Sequence, residues 1–180
     1  MSQPHAIIFA APNGSGRTTL AQEYLVAHPL PYLSADLIAD CLQDVGSRDI
    51  RLQAGRLFFE RIEAQIASRA SFLTEVTLAG QTFRRVVDRM RDTGFQISIA
   101  FVFLATAQAC VARVRERVRK GGHPIPEQDI VRRFSRSCSN FWRVYRPLVD
   151  RWHLFYNGGP HFHEVAMGAG GVTAILDETL

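Results

Sequence analysis

The stretch AIIFAAPNGSGRTTLA, residues 6–21, constrains this chain more than any other. An apolar run ends at Pro12, glycines follow at positions 14 and 16, and two threonines open a helical pattern. Such a sequence predicts a buried strand, a tight loop and a helix from about Gly16 to Ala27. Glycines let the loop aim successive N–H groups at one point, and the helix start adds a dipole that favours an anion there. Asn13, Gly14, Ser15, Gly16, Arg17, Thr18 and Thr19 are therefore candidate nucleotide-binding residues, with the Thr18 hydroxyl placed to ligate Mg²⁺. The phosphate-loop pattern G-x-x-x-x-G-K-[ST] is met with two departures, Ala11 for the first glycine and Arg17 for the lysine. Alanine is harmless at position 11 if its φ is negative and costly if the loop needs φ > 0. Arginine keeps the charge but replaces a compact ammonium with a planar fork.

Composition bears on Arg17. The chain has 20 arginines and one lysine, Lys120, with a net charge of +4. An arginine at position 17 is therefore consistent with a general preference as well as with a special role. A basic chain suits anionic ligands, nucleotide phosphates or nucleic acid. No apolar run approaches the roughly 20 residues that span a bilayer. The start, MSQPHAIIF, has neither the cationic region nor the cleavage site of a signal peptide, so a cytoplasmic protein with no membrane partner is expected. Cys41, Cys110 and Cys138 show no C-x-x-C spacing and are expected as reduced core thiols.

Strands alternate with helices along the chain. PYLSAD predicts a short second strand and SFLTEV a third, and FQISIAFVFL, apolar and β-branched or aromatic, predicts a central one. WHLFYN predicts the last main strand. Between Arg48 and Arg69, Ile50, Ala54, Leu57, Phe58, Ile62 and Ile66 recur at helical spacing, and GQTFRRVVDRMRDTG predicts a helix stopped by Gly94. TAQACVARVRERVRK predicts another, and residues 127–150 carry one apolar helical stripe. The tail, residues 159–177, reads as a terminal hairpin. The expectation is one α/β domain over residues 1–180, a parallel sheet with helices on both faces.

Further polar residues fall where such a sheet binds ligands, beyond its strand ends. Asp36 follows the second strand and reads either as a general base for a hydroxyl or as a helix cap, a task Ser34 shares. Glu75 ends the third strand, with Thr74 and Thr77 beside it, and reads as a ligand for substrate or for a Mg²⁺-bound water, or as a structural carboxylate. Arg113, Arg117, Arg132 and Arg133 flank GGHPIP, so two arginine-bearing helices on a hinge form an expected lid over phosphates, about residues 113–135. His123 reads as a turn residue.

Taken together, AAPNGSGRTTLA, YLSADLIA, FLTEVTLAG and ARVRERVRKGGHPIPEQDIVRRFSRSCSNFWRVYRPLVDRWHLFYNGG resemble the zeta toxin family of P-loop kinases, in the right order over residues 5–158. The resemblance implies a 2-3-1-4-5 parallel sheet, ATP or GTP with Mg²⁺, and phosphoryl transfer to a sugar hydroxyl, that of UDP-N-acetylglucosamine in the best-known toxins. An antitoxin is the protein partner to look for under this resemblance, and it would be encoded elsewhere. By position, Asp36 resembles the catalytic base, Thr18 the Mg²⁺ ligand and Glu75, with Thr77, the substrate site. Arg117 and Arg133 resemble the lid arginines on the transferred phosphate, and Asn157 falls near the nucleotide base. Two other readings stand beside a kinase: a nucleotide-binding module that transfers weakly or not at all because of Arg17 and Ala11, and a nucleic-acid-directed kinase or binder. Aromatic residues on apolar helical stripes, not on a basic strand face, disfavour nucleic acid.

Overall fold

The structure is a computed structural model and describes residues 3–43 and 49–177. The elements run β1 His5–Ala10, α1 Arg17–Ala27, β2 Tyr32–Leu33, α2 Ala35–Gln43, α3 Ile50–Ser68, β3 Phe72–Val76 and α4 Thr82–Asp92. They continue with β4 Gln96–Phe103, α5 Ala107–Arg119, α6 Glu127–Asn140, β5 Arg151–Tyr156, β6 His163–Ala169 and β7 Val172–Ile175. Arg48, the expected start of the third helix, lies outside the described residues.

One sheet has the order β2-β3-β1-β4-β5-β6-β7. Its first five strands are parallel, in the expected 2-3-1-4-5 order. The apolar β4 occupies the middle place. β6 pairs antiparallel with β5, and β7 with β6. The last turn is made by Gly170 and Gly171 at φ 56° and 85°, the left-handed pair that a two-residue hairpin requires.

Alternation along β1 divides the core. Ile7 and Phe9 pack with Leu73 and Ala21 under α1, while Ala6, Ile8 and Ala10 join the opposite face with Phe58, Ile62 and Ile66 of α3 and Met90 of α4. Helices thus cover both faces, and every β1 residue after His5 is buried. This burial anchors the strand whose end carries the glycine loop.

The expected stripe over residues 127–150 is not one α-helix. After α6 the chain widens into a π-helical turn, Phe141–Tyr145, and then tightens into a 3₁₀ turn, Arg146–Leu148. The Arg146 N–H reaches back to the Phe141 carbonyl, one residue further than in an α-helix. Phe141 and Tyr145 on this turn are both fully buried, with Phe141 stacked on Phe101 at 4.4 Å between ring centroids. Pro147, which cannot donate a hydrogen bond, opens the tighter turn. The cysteines also depart in part from expectation: Cys110 is buried and Cys138 partly so, but Cys41 is exposed on α2.

Replacing Phe141 with alanine empties a site in contact with Phe101, Trp142 and Trp152. Urea denaturation of Phe141→Ala is expected to show a loss of about 3–5 kcal/mol. A loss below about 1 kcal/mol would mean that the π turn does not anchor the core.

Candidate active site

The register of the sheet assembles the site. Phe9 of β1 lies beside Glu75 of β3, and Leu33 of β2 beside Thr74, so the loop after β1, Glu75 and Ser34 meet at one rim. Thr74 points away from this group: it is fully buried and donates to the Leu33 carbonyl. Of the two threonines expected beside Glu75, Thr77 remains at the rim, partly buried at the start of the β3–α4 loop.

The loop is shaped by its glycines. Gly14 has φ 86°, and a Cβ there would lie 2.6 Å from the Cys110 carbonyl oxygen, so α5 packs against bare backbone. Gly16 has φ 100°, and a side chain there would collide with the Asn157 amide. Ala11 is fully buried, and its N–H donates to the Val76 carbonyl at 3.3 Å. Positive φ among the described non-glycine residues is confined to Arg69 and Leu78, so Ala11 replaces glycine without backbone strain.

Arg17 does not extend from the loop alone. Its Nε donates to Glu75 Oε2 at 3.0 Å, and its Nη2 lies 3.6 Å from Asp36 Oδ2. The Arg17 side chain is 11% exposed and that of Glu75 2%, whereas that of Asp36 is 82% exposed. The Thr18 hydroxyl donates to the same Glu75 Oε2 at 2.8 Å, and the Ser34 hydroxyl to Oε1 at 2.7 Å. Burial alone would push the Glu75 carboxyl up. The Arg17 charge and the donors Ser34, Thr18 and Arg17 outweigh it, so the pKa is lowered and Glu75 stays ionised. The cap of α2 is Ser34, whose Oγ also accepts from the Leu37 N–H at 3.4 Å. Asp36, in the first turn of α2, is therefore not needed as the cap and faces Arg17.

Other predicted residues hold the loop from the side. Asn157, buried at 9% exposure, donates from Nδ2 to the Ser15 carbonyl at 2.8 Å, and its own carbonyl accepts from Arg113 at 2.5 Å. Arg133 of α6 reaches Asn13 Oδ1 at 3.4 Å. Arg117 donates to the His123 carbonyl at 2.9 Å and so braces the α5–α6 connection, while Arg132 pairs with Asp129 at 2.6 Å. Thr19 is exposed one residue further along α1. Of the four hinge arginines, Arg113 and Arg133 are thus directed at the loop and its anchor, and Arg117 and Arg132 at their own helix pair.

Sequence reasoning missed several supporting residues. Tyr145 donates to the Gly80 carbonyl at 2.8 Å and Asn140 to the Leu78 carbonyl at 2.7 Å, tying down the loop after Glu75. Cys110 lies 3.5 Å from the Ser15 hydroxyl beneath the glycine loop. Each sits on a helix whose periodicity announces burial, but pairings across 62 to 95 residues leave no local signal.

This fold and rim define an α/β domain with a mostly parallel sheet and a glycine loop at the first strand end. The chain belongs to the AAA_33 family, an AAA domain, whose model matches residues 7–137. An uncharacterized protein of Haemophilus influenzae is 28% identical over 130 residues, 72% of this chain and 91% of that protein. Among solved structures, one of the AvrRxo1-ORF1:ORF2 complex with ATP matches at TM-score 0.75 and 16% identity, covering 97% of this chain and 61% of that one. A chain of the PezAT chromosomal toxin–antitoxin system of Streptococcus pneumoniae matches at TM-score 0.66 and 15% identity, covering 87% and 70%. A gluconokinase from Sinorhizobium meliloti matches at TM-score 0.53 and 16% identity, covering 89% and 86%. At such identities these structures share the fold. Among the described residues no helix is long and apolar enough to cross a membrane.

The carboxylate at the centre gives a pH prediction. The folded-state pKa of Glu75 is lowered, so its contribution to stability is complete above the unfolded-state pKa of about 4.3 and is lost as pH falls through the folded value. Glu75→Gln leaves the mostly buried Arg17 guanidinium with only the exposed Asp36 as a charged partner and is expected to cost about 3 kcal/mol at neutral pH. Urea titrations from pH 7 to 3 are expected to show a shallower acid decline in the variant than in the parent protein. Parallel declines would show that Glu75 is not the linked group.

Proposed function

We propose that this protein is a phosphotransferase that moves the γ-phosphoryl group of ATP or GTP to a hydroxyl of a small molecule, a nucleotide sugar of the UDP-N-acetylglucosamine kind being the first candidate. The observation that carries this reading is the convergence of Gly14–Thr18, Glu75 and Asp36 around Arg17 at one rim. The loop amides and the start of α1 suit phosphate oxygens. The ATP in the AvrRxo1 complex and the gluconokinase likeness support the nucleotide and the reaction class.

The donor chemistry fits Mg²⁺. Thr18 Oγ1 and Glu75 Oε2 are hard oxygens 2.8 Å apart, and Mg²⁺ is held by few protein ligands together with substrate phosphates. Thr18 would bind it, and the ion would neutralise charge on the phosphates. Asp36, exposed and uncommitted to capping, takes the proton of the acceptor hydroxyl as its oxygen bonds to the γ-phosphorus. The bond from that phosphorus to the oxygen it shares with the β-phosphorus breaks, and the nucleoside diphosphate leaves with that oxygen. Arg133, already at Asn13, supplies positive charge beside the loop, and residues 113–135 act as the lid. Glu75 and Thr77 face the acceptor, Asn157 fixes the loop near the base, and residues 1–180 work as one domain. The toxin–antitoxin likeness supports a protein partner that restrains the site.

Incubation with labelled ATP, Mg²⁺ and a panel of nucleotide sugars is expected to label one of them. Asp36→Asn is expected to lower transfer at least about 100-fold while nucleotide affinity stays within twofold. Equal transfer by Asp36→Asn would exclude Asp36 as the base. A second reading, a nucleotide-binding module with weak or no transfer, is favoured by the Arg17–Glu75 bond, which draws the loop cation away from the phosphate side. Under it, Arg17→Lys raises transfer about tenfold or more. Unchanged or reduced transfer in Arg17→Lys would remove it.

A further inference from the structure

Tyr32, in the two-residue strand β2, lies at the same rim with no task so far. Its ring packs beneath α1 against the cluster of Ile7, Phe9 and Leu73. Its hydroxyl is sealed from solvent and meets no partner at hydrogen-bond geometry among the described residues, although it lies close enough to Glu75 and Ser34 to be influenced by both. Buried tyrosine hydroxyls normally have a partner, because an unpaired buried donor is costly. In register, Tyr32 faces Leu73, two residues before Glu75 and on the same face of β3. The hydroxyl is close enough to the rim carboxylate to respond to it. Burial first, then the Glu75 charge, raise the phenol pKa, so Tyr32 is a proton donor throughout the neutral range.

Glu75 has three donors in this arrangement. Ser34 serves Oε1, and Arg17 and Thr18 share Oε2. The last two are the residues that phosphate and Mg²⁺ would draw away. Their departure leaves a buried, charged oxygen without a donor, next to a buried hydroxyl without an acceptor.

We propose that Tyr32 is a positioning residue whose hydroxyl takes over Oε2 of Glu75 when Arg17 and Thr18 turn to the nucleotide. The exchange keeps Glu75 ionised and fixed in direction toward the acceptor, and it needs only rotation of side chains around a carboxylate held in place by Ser34. In the ligand-free protein the unpaired hydroxyl is a cost, and its relief on binding adds to affinity. The inference rests on the phosphate-site reading above.

The test compares the parent protein with Tyr32→Phe, and with Tyr24→Phe as a control in the same apolar cluster. Ligand-free Tyr32→Phe is expected to melt at or slightly above the parent temperature, since it loses no hydrogen bond. Calorimetric affinity for a non-hydrolysable ATP analogue with Mg²⁺ is expected to fall about tenfold in Tyr32→Phe and to stay within twofold in Tyr24→Phe. A parent protein that fails to bind the analogue overturns the phosphate-site reading and this inference with it. A parent that binds, with Tyr32→Phe binding equally well, overturns the inference alone. So does a clear drop in the ligand-free melting temperature of Tyr32→Phe, which would show the hydroxyl already engaged.

Discussion

The Glu75 carboxylate, nearly closed to solvent, is the point on which the rim depends. It collects Arg17 and Thr18 from the start of α1 and Ser34 from the end of β2. A buried charge of this kind is tolerated only when paired and hydrogen-bonded, and truncating one partner is far more costly than the pair is worth. The network therefore fixes where α1 begins relative to β3 and where α2 begins relative to β2. Asp36 is brought near Arg17 as a consequence, because Ser34 both serves Glu75 and caps the helix that carries Asp36.

Around this centre the glycine loop is held by backbone contacts that any side chain would break. Gly14 lies against the Cys110 carbonyl and Gly16 against Asn157, while Asn157 bonds Ser15 and is bonded by Arg113. The loop is thus fixed from α5 and from the residue after β5, and its open side is bordered by Arg133. The β3–α4 loop is held in the same way by Asn140 and Tyr145 around the π turn. The geometry of the candidate site at the strand ends is supported by residues far along the chain.

Much of this was legible in the sequence. The alternation of apolar runs with helical stripes predicted a parallel sheet with helices on both faces, the family resemblance implied its strand order, and Gly14, Gly16, Thr18, Asp36 and Glu75 marked the rim because each lies at or just beyond a strand end. Local patterns did not show the π turn, since its wider spacing at Phe141 and Tyr145 mimics a continuing α-helical stripe. They also did not show that Arg17 binds Glu75, that Arg113 holds Asn157 or that the Tyr32 hydroxyl is sealed from solvent beneath α1. Those are contacts between distant segments, set by strand register and helix docking. Ala11 illustrates the division: sequence posed the question of its φ, and only the backbone answered it.

The central claim is that Arg17 exchanges its carboxylate partners for phosphate when nucleotide binds. Nitrogen-15 NMR of the arginine side chains reads this directly, with Arg17 Nε assigned by comparison with Arg17→Lys. Without ligand, Arg17 Nε–H is expected to be protected from exchange by its bond to Glu75. Addition of the Mg²⁺ complex of a non-hydrolysable ATP analogue is expected to shift that resonance and connect the guanidinium to phosphorus through hydrogen-bond couplings. Saturation of the protein by the analogue with the Arg17 signal unmoved and still protected would contradict the account.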